Sequence, residues 1–110
     1  MTLTLAEAKR LIDDCLAWRK AHDLKPLTVA VLDSAGALVA LAREDGTSNL
    51  RPEIAQGKAR GAVNMGLGSR ALYERAKVEP FFIQSMNALS GGSLVPVAGG
   101  VLIKLSLIHI

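Results

Sequence analysis

Leu27-Thr28-Val29-Ala30-Val31-Leu32-Asp33-Ser34-Ala35-Gly36-Ala37-Leu38-Val39-Ala40-Leu41-Ala42-Arg43 decides the fold class. Two apolar runs flank Asp33-Ser34-Ala35-Gly36, which carries turn chemistry, so the stretch predicts a β-hairpin. Both runs are apolar at most positions, so both faces of the hairpin are expected to be at least partly covered. The cover comes from either side in sequence. Upstream, Thr4-Leu5-Ala6-Glu7 fits a capping box. Leu11, Ile12, Cys15, Leu16 and Trp18 then fall on one side of a helix ending near His22. Downstream, Pro52 suits the first turn of a second helix running to about Met65. Gly66-Leu67-Gly68 breaks it, and Ser69 is placed to cap a third helix. Glu79-Pro80 starts a fourth, from Phe81 to about Leu89.

After that, two Gly-Gly pairs bracket an apolar run in Gly91-Gly92-Ser93-Leu94-Val95-Pro96-Val97-Ala98-Gly99-Gly100. Such pairs mark sharp turns or a wall against which something packs. Pro96 argues for an edge strand or a bulge, and Val101-Leu102-Ile103 reads as the start of a core strand. The order helix, hairpin, helices, strands predicts an α+β domain with an antiparallel sheet covered by helices.

The totals agree with one domain. The chain has 110 residues and is 50% hydrophobic but only 4% aromatic, so small aliphatic residues must build the core. A net charge of +3, spread with no basic run, argues against a nucleic-acid partner. The single Cys15 excludes an internal disulfide and zinc-type spacing. No apolar run reaches the ~18 residues of a membrane span. With no signal-peptide pattern, a cytoplasmic protein is the default expectation, a secreted form with a lost leader being the other.

Lys58 is the sharpest oddity. On a helical wheel Ile54, Ala55, Gly61, Ala62 and Met65 lie within about 60° of it, so it sits in the middle of the face that should be buried. Arg51 precedes it on the same face. A buried ammonium needs a carboxylate, backbone carbonyls or an anionic ligand. Either its stem packs while the amine reaches a loop, Asp33 or Asp45, or it serves a site. Arg43, in Arg43-Glu44-Asp45-Gly46, either orients an anionic or hydroxylated ligand or is a solvated strand end. His22 either closes a helix, favoured there by the dipole, or ligates a metal or haem iron. Met65, Met86, Tyr73 and Cys15 are further conceivable iron ligands, each better explained as core or helix surface. No phosphate-binding, dinucleotide, zinc-protease or nucleophile-elbow motif is present, and no acid/base pair marks a hydrolase.

Taken in order, the capped helix from Thr4, Val29-Ala30-Val31-Leu32-Asp33-Ser34-Ala35-Gly36, Arg43-Glu44-Asp45-Gly46, Ile54-Ala55-Gln56-Gly57-Lys58-Ala59, Ser69-Arg70-Ala71-Leu72 and Gly91-Gly92 to Val101 resemble the GlcG/HbpS-like family of haem-binding proteins. That family includes the C-terminal domain of PduO. The resemblance covers about residues 3 to 104. It implies a profilin-like antiparallel sheet, frequent homo-oligomers, and binding of haem or of a corrinoid as the alternative tetrapyrrole. In other members it implies an accessory or enzymatic role in small 2-hydroxy acid (glycolate) or diol metabolism. The positions that match its pattern include Asp33, Gly36, Arg43, Asp45, Gly46, Lys58, Arg70, Gly91, Gly92, Pro96, Gly99 and Gly100.

The expected function is therefore small-molecule binding, with haem or a related tetrapyrrole first and no membrane partner. The residues expected to bind it are Lys58, Arg43, Arg51, His22, Gly91 and Gly92, with His22 as the candidate metal ligand. The alternative is the accessory or enzymatic role. The domain is expected to span residues 1–104 and to be incomplete, because family members continue through another strand and a final helix. Residues 105–110 depart from the pattern and are expected to be a non-native tail.

Overall fold

The Asp33 carboxylate builds the hairpin turn: its Oδ1 accepts hydrogen bonds from the backbone N–H groups of Ala35 (2.9 Å) and Ala37 (3.0 Å). An Asp that satisfies its own turn in this way is a local instruction, independent of the rest of the chain. In the computed structural model, which describes residues 2–103, the turn joins β1 (Thr28–Leu32) to β2 (Leu38–Arg43). The strands pair antiparallel from Thr28 opposite Arg43 to Val31 opposite Ala40, and the register then shifts so that Leu32 faces Leu38. An irregularity at the turn end lets the short loop close without flipping the rest of the strand. Every β1 residue is half-buried, as the unbroken apolar run predicts.

The hairpin belongs to a compact unit of residues 2–56. Its helix α1 (Leu5–Ala21) begins with the expected capping box: Thr4 Oγ1 accepts from Glu7 N, and the Glu7 carboxylate accepts from Thr4 N. The helix packs on both strands and buries Ala8 and Ile12. The expected face is corrected here. Cys15 and Trp18 are exposed, Trp18 by 56%. The cause lies in the C-terminal half of α1, where Arg19 rather than Trp18 turns toward the strands. Arg19 grips the Glu44 carboxylate through Nε (3.0 Å) and Nη2, and Glu44 Oε1 also accepts from Leu27 N (2.8 Å). A bidentate pair takes the place an aromatic would have filled. α1 ends in a Schellman pattern, with Leu24 N donating to Arg19 O and Asp23 N to Lys20 O.

The second unit runs from Gly57 onward, so α2 (Arg51–Met65) contributes its first turns to one unit and the remainder to the other. α3 (Ser69–Val78) and α4 (Pro80–Leu89) follow, with Pro80 at the first position of α4. Leu72, Ile83 and Leu94 form the buried core of this unit, with Met65, Ala76, Phe82 and Met86 packed around it. Ser69 is the first residue of α3 and Gly68 its N-cap, so the cap expected of Ser69 is corrected: its hydroxyl has a distant partner.

The chain is α+β, with a two-stranded antiparallel sheet and four helices among the described residues. Strands expected after α4 are not found there. Residues 93–103 form no ladder because their backbone bonds go to helices instead, Val95 N to Gly57 O (3.2 Å) and Gly100 to Ser69. The non-native tail expected at residues 105–110 lies outside the described residues.

Candidate functional site

Gly57 and Gly61 stand one turn apart on α2, and both are buried. Their missing side chains open a flat lane on the helix. The segment 94–100, here called the strap, lies in that lane. A Cβ on Gly57 would stand 2.5 Å from Val95 Cγ2, and one on Gly61 would stand 3.2 Å from Leu94 Cγ. Small residues four apart allow this approach, and the bond from Val95 N to Gly57 O is its product. Further along, Gly100 meets the start of α3. Gly100 N donates to Ser69 Oγ (2.6 Å), and Ser69 N donates to Gly100 O (2.8 Å).

Lys58 lies under the far end of the strap. A Cβ on Gly100 would come within 2.5 Å of the Lys58 carbonyl oxygen. A Cβ on Gly99 would lie 3.3 Å from both Cδ and Nζ of Lys58, and Gly99 holds φ +131, a conformation that side-chain-bearing residues rarely adopt. The stem therefore runs along bare backbone. Lys58 is half-buried, and among the described residues its ammonium makes no hydrogen bond or ion pair. The wheel placed Lys58 at the centre of the buried face. The buried stripe is centred instead on Gly57, Gly61 and Ala62, which leaves Lys58 at its edge, able to bury its stem and present its head.

A groove of about 440 Å³ opens between α3, α4 and the strap. Ala76, Pro80, Phe81, Ile83, Leu94 and Pro96 give it apolar walls, and Gln84 and Asn87 contribute amides. Asn87 is partly committed, since its Oδ1 accepts from Leu94 N (3.2 Å). The groove and Lys58 share no lining residue but touch the same strap, at Pro96 and Gly99.

The remaining expected residues have their own surroundings. Gly91 and Gly92 end α4: Gly92 N donates to Asn87 O and Gly91 N to Ala88 O, with Gly91 at φ +73. That is a Schellman stop, which accounts for a glycine at Gly91 without a ligand. Arg43 is exposed and its Nη1 donates to Asn49 Oδ1 (3.3 Å). Arg51 is the exposed first residue of α2. His22 caps α1, its ring stacked on Trp18 at 4.2 Å. Its Nδ1 lies 2.8 Å from the Trp18 carbonyl oxygen, which can only accept, so Nδ1 carries the proton and Nε2 is the open nitrogen. No group of three or more metal-ligating side chains occurs among the described residues. Lys58, one of the six expected residues, lies against the strap's Gly99-Gly100 pair.

The profile of the family described as haem degrading protein HbpS-like matches residues 3–108. The chain belongs to the HbpS-like family. No curated protein and no solved structure gives a significant match.

In this HbpS-like chain the resemblance drawn from the ordered motifs is thus confirmed at the level of family. What sequence reasoning missed is Ser69. It is the one fully buried polar residue among those described, and its partner is 31 positions away. No local pattern announces such a pairing. The available signal was indirect: a Gly-Gly pair needs a close neighbour, and a half-apolar helix face bearing a lysine is such a neighbour. No helix of the described HbpS-like chain is long and apolar enough to cross a membrane.

Proposed function

We propose that this HbpS-like protein binds haem or a related tetrapyrrole, with the Lys58 ammonium meeting a ligand carboxylate. One observation carries the reading: a half-buried lysine whose stem and amine lie along bare glycine backbone, without a partner of its own among the described residues. Family membership supplies the ligand class.

The residues fit the group in part. The apolar walls of the groove suit one face of a planar macrocycle, and a lysine suits its propionates. The iron is less well served, because no His, Cys, Met or Tyr is among the lining residues. Met65 and Met86 are packed against the core, and His22 belongs to the other unit. Haem, when bound, supplies an iron centre and a redox couple. The chain's own contribution is to exclude water from the ring face and neutralise a carboxylate. A corrinoid has a comparable ring but carries amides where haem has propionates, so Lys58 favours haem between the two. The exposed Val78, Phe81 and Leu89, each about 80% accessible, favour a homo-oligomer as the working form.

The test is an absorbance titration of the folded protein with hemin, serum albumin serving as the non-specific control. A saturating Soret shift at fixed stoichiometry is expected. Lys58→Met is expected to weaken binding about tenfold, the worth of one charge-assisted contact of roughly 1.4 kcal/mol. Albumin-like, non-saturating behaviour would remove the proposal, and saturation untouched by Lys58→Met would remove Lys58 from it.

A further inference from the structure

We infer that Ser69 and Gly99 are positioning residues for the Lys58 ammonium, and that together they make a carboxylate-selective subsite. The inference rests on the ligand class proposed above and adds how the site is set.

Three observations converge. Ser69 is buried completely, and its hydroxyl oxygen accepts from one backbone group, Gly100 N, at 2.6 Å. Its own N–H returns a bond to Gly100 O at 2.8 Å, so Gly100 is held on both sides. A buried hydroxyl is costly unless bonded, and here its bond fixes one glycine. That glycine lies against the Lys58 carbonyl, where no Cβ fits, and at the next residue back, Gly99, an added Cβ would stand only 3.3 Å from the Lys58 stem and amine. The strap is therefore anchored at the one place where its backbone defines the course of a lysine. The ammonium so placed has no partner among the described residues. A structural lysine needs no such guide, since an unbranched stem reaches solvent by many rotamers. A lysine that must meet a carboxylate in one place gains by losing those rotamers beforehand.

The chemistry selects the ligand feature: an ionised carboxylate on an otherwise apolar ring. Mesoporphyrin IX and its dimethyl ester separate that feature from the ring itself, because esterification removes the charges and keeps the macrocycle. Neither carries iron, so the comparison does not depend on axial ligation.

The experiment is a fluorescence titration of the full chain with both compounds, for the unsubstituted protein, Lys58→Met, Ser69→Ala, Gly99→Ala and the doubles with Lys58→Met. The expected result is tighter binding of the diacid by about tenfold, a preference lost in all three single variants while the ester affinity stays within about twofold. The doubles should fall no further than Lys58→Met, because the three residues act through one ammonium. Far-UV circular dichroism checks folding, and Ser69→Cys, which puts a larger, weaker acceptor in place of the hydroxyl, replaces Ser69→Ala if that variant unfolds. If the diacid preference vanishes in Lys58→Met but survives in Ser69→Ala and Gly99→Ala, the positioning inference is overturned and Lys58 keeps its role. If diacid and ester bind equally to the unsubstituted protein, Lys58 loses that role and the inference falls with it. If neither compound binds, the tetrapyrrole reading itself fails.

Discussion

Arg19 and Glu44, 25 positions apart, form a two-pronged ion pair in which both carboxylate oxygens accept from one guanidinium. The pair ties the last turn of α1 to the end of β2. Glu44 Oε1 accepts from Leu27 N as well, and Glu44 N donates to Leu27 O, so one residue closes the mouth of the hairpin. The side chains are only 17% and 13% exposed. Arg19 first, and the Leu27 N–H after it, hold the Glu44 carboxyl below its ordinary value of 4.5.

Acid sensitivity follows from that shift. A carboxyl depressed in the folded state binds fewer protons there than in the unfolded chain, so its contribution is complete above about pH 4.5 and is lost as pH falls through the folded value. Glu44→Gln should lower the urea midpoint at pH 7 and flatten the fall of stability below about pH 4.5. The fall should not disappear, because Glu7, bonded to Thr4, is depressed as well. Urea unfolding at a series of pH values checks both statements. An acid slope unchanged by Glu44→Gln would mean that other carboxylates carry it.

Asp23 sits at φ +51, directly after the C-cap of α1, the one described non-glycine residue with positive φ. A left-handed backbone costs a side-chain-bearing residue about 1 kcal/mol, somewhat less for Asp. Asp23→Gly should therefore change the stability by no more than about 0.5 kcal/mol, because the relief of the backbone is largely offset by the extra freedom glycine gives the unfolded chain. The measurement is the shift of the urea midpoint at constant m-value.

Packing at the lane between α2 and the strap predicts a clash with a remedy. Gly57→Ala should gain up to about 1 kcal/mol in helix propensity. It would also put its Cβ 2.5 Å from Val95 Cγ2, and overpacking of this kind costs about 1–3 kcal/mol. A net loss is expected. Val95→Ala removes the offending methyl, so the double variant Gly57→Ala/Val95→Ala should recover part of that loss. A double-mutant cycle by chemical denaturation should give a coupling of at least about 1 kcal/mol. Additive effects would show that the strap does not lie in the lane.

These cases mark what the sequence makes legible. Thr4 with Glu7, the Asp33 turn and Pro80 at a helix start are local devices whose partners lie within four residues, and each is found as expected. Arg19 with Glu44 and Ser69 with Gly100 are not local, and the sequence pattern offers only a helix cap for Ser69 and no partner for Glu44. The same limit displaced Trp18: periodicity gives the two sides of α1 but not which side meets the strands once an ion pair competes for the place. For the site, the double glycines and Lys58 were both conspicuous, but only the strap's course relates them. Periodicity also misread that course as a strand, because an apolar run bounded by glycines has the same composition whether it pairs with a strand or lies on a helix.

Gly91 offers a last separation of fold from site. It was a candidate for ligand binding, and in the structure it is the left-handed residue that stops α4, with nothing within 4 Å of an added Cβ. Gly91→Ala therefore meets no steric neighbour, and its whole effect is conformational, a loss of about 1 kcal/mol. If the stop is its only role, the variant should lose that stability and keep its hemin affinity within about twofold, whereas Lys58→Met should do the reverse, keeping stability while losing affinity about tenfold. Parallel urea and hemin titrations of the two variants test this directly. A Gly91→Ala protein of near-normal stability but greatly weakened hemin binding would return the Gly91-Gly92 turn to the site.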